Sequence, residues 1–214
     1  PYLIVFNRLE KYILLNQVPE KTEVIIQGGT FTSFDEEYQD YVIKFIFKAF
    51  NDFSEIFFIN GILDLNKFNE FFELPGNVSD ENRTKKIQEK ILKIKNDCNL
   101  IEEQRKNEIS KIRCVALTIE TKPDWCKEKE INKSLELGTT RVELGVQTLY
   151  DDILKIINRG HSLNDTIEAI QLLKDSFLKT NFHIMPGLPN SNREKDLNVF
   201  KELFENQIYR PDQL

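Results

Sequence analysis

The sequence is poor in sulfur and in the less common aromatic residues: one methionine, one tryptophan, two histidines and three cysteines in 214 residues. Cys98, Cys114 and Cys126 stand 16 and 12 positions apart, a spacing that fits neither a zinc ribbon nor an iron–sulfur run. They read as buried or half-buried thiols in a reducing compartment, so a cytoplasmic location is expected. No apolar run approaches the roughly 20 residues needed to span a bilayer, and no secretory or membrane segment is visible. A net charge of -6 excludes attraction of the whole chain to DNA or another polyanion, so any basic partner surface is local.

What is present is a soluble composition, 40% hydrophobic and 30% charged, in a chain long enough for one α/β domain with a sizeable core. The organising stretch is Arg113–Leu149, which reads as strand, helix, strand. Alternation puts Val115, Leu117 and Ile119 on one face of the first strand and Ala116, Thr118 and Glu120 on the other. In the second, Val142, Leu144 and Val146 oppose Arg141, Glu143, Gly145 and Gln147. Glu23–Gly29 and Asn181–Met185 follow the same rule. A parallel strand covered by helices on both faces is apolar on both, so a regular polar face predicts a barrel with a chemically occupied interior. The polar residues come late in each strand, at Gly28-Gly29-Thr30, Glu120, Gln147 and His183, the end where α/β barrels build their sites.

Elsewhere, amphipathic spacing predicts helices from Leu3, over Glu36–Phe50, over Asn66–Phe72, from Asp151, after Ser162 or Asn164, and over Glu194–Phe204. Ile56–Ile59 reads as a short strand before an Asn60-Gly61 turn. A long helical pattern follows Asp80, with Ile87, Ile91, Ile94, Cys98 and Ile101 at steps of three and four. Residues 60–113 thus read as a helical, lysine-rich insertion. Between Glu81 and Arg113 ten Lys/Arg face six Asp/Glu. Lys85, Lys86 and Lys90 form either a solvated face or a phosphate-tracking one.

Val115–Asp124, Arg141–Leu149, Asn158-Arg159-Gly160-His161 and His183–Pro189 together resemble the radical S-adenosylmethionine (SAM) superfamily. With Gly28–Thr32 and Asp151–Leu154, the wording is similar to its Elongator-type, tRNA-modifying branch, over nearly the whole chain except roughly 60–80. The resemblance implies a partial (β/α)6-type barrel, a 4Fe-4S cluster and SAM. It also implies a reaction in which acetyl-CoA gives a carboxymethyl group to the wobble uridine of tRNA. Carried over residue by residue, Gly28, Gly29 and Thr30 hold the SAM amino group, Glu120 and Gln147 lie near its ribose and methionine parts, and Arg159 pairs with its carboxylate. His183 faces the ribose, Lys21 is associated with acetyl-CoA, and Lys85, Lys86 and Lys90 are candidates for tRNA. Other Elongator-like subunits are implied as partners; a membrane is not.

The departures are as informative. The three cluster cysteines that the family places before its first strand are missing, as is its C-terminal acetyltransferase-like domain. The chain is therefore expected to be a radical SAM domain truncated at both ends, inactive alone, with no cysteine set able to bind the cluster. A coproporphyrinogen-oxidase-like radical SAM enzyme and a tRNA-binding scaffold without SAM chemistry are the alternatives.

Overall fold

The computed structural model describes residues 1–77 and 79–214. In chain order its elements are α1 (Tyr2–Leu14), β1 (Lys21–Ile26), α2 (Glu36–Phe57), β2 (Phe58–Ile59), β3 (Ile62–Leu63), α3 (Leu65–Phe71), α4 (Glu81–Ile94), α5 (Leu100–Ile109), β4 (Arg113–Thr121), α6 (Glu128–Glu136), β5 (Arg141–Gln147), α7 (Asp151–Ile156), α8 (Leu163–Asp175), β6 (Lys179–Ile184) and α9 (Arg193–Glu205). The chain forms two compact units, one of residues 1–23 and 40–115, the other of 24–39 and 116–214.

The second unit is the α/β one. Its sheet runs in the order β1-β4-β5-β6, with β4 parallel to β5 and β5 to β6. Parallel neighbours need crossovers; α6 supplies the first, and α7 with α8 the second. Leu117, Ile119, Val142, Leu144, Val146 and Phe182 are buried, as their parity requires, and Ile131, Ala169, Ile170 and Leu173 are buried on the helices. Val115 departs from its set and is 53% exposed. Beyond α9, Gln213 forms a parallel bridge with Asn181, so pairing next to β6 begins where the alternation calls for a further strand.

Three expectations on element limits are corrected. β1 starts at Lys21 and stops at Ile26, because Gly28 and Gly29 take φ of +103° and +74°, which no strand accommodates. The Glu36 helix runs to Phe57 rather than Phe50, since Phe50, Phe53 and Phe57 keep the helical spacing of buried residues. Only Phe58 and Ile59 are then left to pair with β3, through an Asn60-Gly61 turn in which both residues have positive φ. The pattern from Ile87 to Ile101 is two helices. Asn99 accepts from the Ile101 and Glu102 amides and starts α5 afresh, so Cys98 sits in the linker and not on a helix.

The first unit holds its helices together with rings and with a buried polar network. Phe53 and Phe57 lie 4.6 Å apart, centroid to centroid, and both meet Phe68 and Phe72. Beside them Lys48 Nζ lies 3.0 Å from Asp52, which also accepts from the Tyr2 hydroxyl. Asn51 donates to Glu103 Oε2 at 2.7 Å, and Asn107 donates to Asn51 Oδ1 at 2.8 Å while accepting from the Cys114 amide. All six of these residues, Tyr2, Lys48, Asn51, Asp52, Glu103 and Asn107, are under a tenth exposed.

Candidate ligand-binding site

The site lies where the strands of the second unit end. Register places Glu120 of β4 beside Glu143 of β5, and Glu143 beside Asn181 of β6, so the three side chains share a face and His183 joins them two residues on. Donor atoms of Glu120, Glu143 and His183 all lie within 4.8 Å of one another. Glu143 is buried; its Oε2 is 3.1 Å from His183 Nε2, and its Oε1 accepts from Asn181 Nδ2 at 3.3 Å. Glu120 Oε2 accepts from the Gly28 amide at 3.0 Å. Two carboxylates and an imidazole make a set of acceptors for a diol, or three ligands for a divalent cation.

The glycine turn is anchored from behind. Thr32 bonds both Thr121, at the end of β4, and the Trp125 carbonyl. A Cβ at Gly28 or Gly29 would meet nothing within 4 Å, so here glycine serves the positive φ and leaves open backbone beside Glu120.

A second patch adjoins the first along β5. After α7 the chain turns through Asn158 (φ +50°) and Gly160 (φ +88°), and this lays the Arg159 guanidinium on Gly145, with Nη2 3.3 Å from the Gly145 carbonyl. A Cβ at position 145 would stand 2.4 Å from Nη2 and 3.1 Å from the Gln147 amide, so any side chain there would push the guanidinium off its seat. Gln147 itself has φ +68° at the irregularity where β5 and β6 change register, and its carbonyl accepts from the Met185 amide.

Around Arg159 the buried polar groups are not satisfied within the protein. Arg159 Nε, Asp124 Oδ1 and both His161 ring nitrogens have no partner of normal hydrogen-bond geometry, and neither does Asn181 Oδ1 nearer Glu143. The other oxygen of Asp124 takes Lys122 Nζ at 3.1 Å. Burial, and then the charge of Arg159, push His161 below the usual histidine range, against a weaker upward pull from the Val146 carbonyl. Burial also lowers Arg159, with Asp124 opposing it. Buried polar groups are nearly always paired, so a run of exceptions at one rim indicates a polar ligand or ordered water there.

Of the residues expected from the sequence, Gly28, Gly29, Glu120, Gln147, Arg159 and His183 come together at this rim, and Thr30 follows the glycines. Lys21 does not: it opens β1, about 17 Å along the strand from Ile26 at about 3.3 Å per residue. In the first unit, Lys85 and Lys86 are exposed on α4, but Lys90 is tied to Glu73 at 2.9 Å and to the Phe71 carbonyl. Glu143, Asn181, Asp124 and His161 were given no ligand role. From the sequence Glu143 is one member of a polar strand face; its register opposite Glu120 is the signal that marks it. Cys126 is buried with its thiol pushed up to about 12. Among the described residues Glu120, Glu143 and His183 are the only convergent set of three, and none is a cysteine. The residues present therefore do not fit a 4Fe-4S cluster.

Comparison with known proteins identifies the family. The family description "Radical SAM superfamily" matches residues 2–203. A Methanocaldococcus jannaschii protein named tRNA uridine(34) acetyltransferase is 43% identical over 213 residues, 99% of this chain and 31% of that protein. Elongator complex protein 3 of Bos taurus is 34% identical over 214 residues, again 31% of its length. The solved structure of Methanocaldococcus infernus Elp3 with an N-terminal deletion superposes with a TM-score of 0.77 at 42% identity, covering 99% of this chain and 40% of that one. The chain spans about a third of the length of the curated relatives it matches. Since the parallel sheet, the glycine turn and the polar rim all fall within the matched residues, the chain belongs to the radical SAM superfamily.

Proposed function

We propose that this chain is the SAM-binding core of an enzyme that modifies the wobble uridine of tRNA, with acetyl-CoA as co-substrate and 5-carboxymethyluridine as product. The reading rests on one observation: Glu120, Glu143 and His183 meet opposite an open glycine turn, next to a guanidinium seated on Gly145. A zwitterion carrying a diol needs that combination of carboxylate acceptors, exposed backbone and a cationic fork. The names of the relatives supply the reaction class.

In this role Glu120 and His183 accept from the ribose hydroxyls, while Glu143 holds His183 in orientation through Nε2. Gly28, Gly29 and Thr30 present backbone to the amino group, Gln147 offers its amide, and Arg159 pairs with the carboxylate. When bound, SAM supplies the radical chemistry for which the superfamily is named. Thiolates for a 4Fe-4S cluster come from outside the described residues. Lys21 remains the candidate for acetyl-CoA and exposed Lys85 and Lys86 for tRNA phosphate, with other Elongator-like subunits as partners.

A chimera tests this. With the chain replacing the matching segment of the M. jannaschii relative, anaerobic incubation with SAM, acetyl-CoA and tRNA should yield 5-carboxymethyluridine by mass spectrometry. The product should vanish in Glu120→Gln and Arg159→Ala, and the 214-residue chain alone should form neither product nor cluster absorbance. A chimera that binds tRNA but never SAM would replace this reading with a tRNA scaffold.

A further inference from the structure

His161 is the buried titratable group that the proposed function leaves without work. It is 7% exposed, and neither ring nitrogen has a partner of normal geometry. A buried imidazole in that state costs free energy unless something completes it. Its sequence neighbour has the complementary defect: Arg159 Nε is a buried donor with no acceptor, and the guanidinium is held by a single long bond to the Gly145 carbonyl. Only Gly160, at φ +88°, stands between the two residues, and the Arg159 charge acts on the imidazole.

We propose that His161 is the positioning residue for Arg159: a ring nitrogen accepts from Arg159 Nε when the outer guanidinium nitrogens turn to a ligand carboxylate. The inference rests on the SAM reading and deepens it. Only the uncharged imidazole has a lone pair to offer. The environment favours that form, since burial and Arg159 both disfavour the imidazolium. The charged groups facing His161 are Arg159, Asp124 and Lys122. Asp124 is already engaged by Lys122 through Oδ2, which limits its ability to hold an imidazolium. A guanidinium fixed on its Nε side loses less freedom when it binds, which is where a positioning residue contributes to affinity.

The test compares a ligand that carries the carboxylate Arg159 would hold with one that lacks it. Equilibrium binding of SAM and of 5'-methylthioadenosine, which lacks the amino-acid portion, is measured for the 214-residue chain, His161→Leu and His161→Gln. His161→Leu should lose about tenfold or more in SAM affinity, the scale of one hydrogen bond to a charged group, and leave methylthioadenosine unchanged. His161→Gln keeps an acceptor and should recover most of the loss. In the wild-type chain SAM affinity, but not methylthioadenosine affinity, should weaken only once the pH drops beneath the usual histidine range, because burial and Arg159 hold His161 uncharged, and the leucine variant should show no such step. SAM binding that His161→Leu leaves intact would overturn the positioning role alone, as would equal losses for both ligands. A wild-type chain that binds neither ligand would overturn the SAM reading and this role together.

Discussion

The two units bury polar side chains to opposite ends. In the unit of residues 1–23 and 40–115, Tyr2, Lys48, Asn51, Asp52, Glu103 and Asn107 close a network in which each named group has its partner inside the protein. In the other unit Asp124, Arg159, His161 and Asn181 keep buried atoms without one. A satisfied network fixes which way helices pack. An unsatisfied one is incomplete until a ligand or ordered water fills it. Thr139 Oγ1, ahead of β5, is unpartnered too, so it is the clustering of such atoms around Arg159 that sets the rim apart from a network serving the fold.

The sharpest way to break the contrast is to open the closed network. Asp52→Ala leaves Lys48, a buried cation, with only the more distant Glu103 at 3.9 Å and takes the acceptor from Tyr2, and should cost about 3 kcal/mol of stability, read from urea unfolding. SAM binding measured below the unfolding transition should not change. If affinity fell in step with stability, the two kinds of buried polar group would not be separable.

A smaller effect sharpens the other side. Gly145→Ala drives a methyl group into the space of Arg159 Nη2, so it should weaken SAM binding about tenfold through the displaced guanidinium. Added to Arg159→Ala it should weaken binding no further, a non-additivity that a double-mutant cycle reports. Full additivity would mean that position 145 acts by another route.

The smallest expected effect concerns a group that belongs to neither class. Asp165 closes the capping box of α8 with Ser162 and pairs with Lys127 at 2.9 Å; these partners hold it well below the usual carboxylate range. Because its pKa is depressed in the fold, its contribution is fully present above the unfolded value near 3.9 and fades as the pH falls through the folded one. Asp165→Ala should therefore cost about 1 kcal/mol at pH 7 and progressively less in acid, with ligand affinity constant. A cost that did not shrink in acid would assign the effect to packing.

Much of the second unit was legible in the sequence because parallel strands impose a parity that residues cannot hide. Glu120, Gln147 and His183 were found by position and parity alone, and the Gly28-Gly29 turn by its chemistry. What escaped depended on distance in the chain. That Glu143 meets His183 follows from a register between strands, not from either strand. Arg159 was reached only through the family resemblance and His161 was given no role, since both lie outside the alternation and no period flags a side chain delivered by a turn with two positive-φ residues. In the first unit, the break between α4 and α5 was missed because apolar spacing runs through it, while the Asn99 cap that makes it is a single residue. The extension of α2 to Phe57 was missed because an apolar tetrapeptide suits a helix end as well as a strand.

Gln147 carries a consequence for how this protein could change. A residue with a branched-off amide held at φ +68° sits where glycine or asparagine would rest more easily, at a cost on the order of 1 kcal/mol. Selection for heat resistance alone would therefore drift toward glycine at 147, and on the proposed reading the resulting chain would keep its shape, outlast its ancestor on heating and lose the amide that glutamine offers to SAM, a trade of durability against occupancy of the rim.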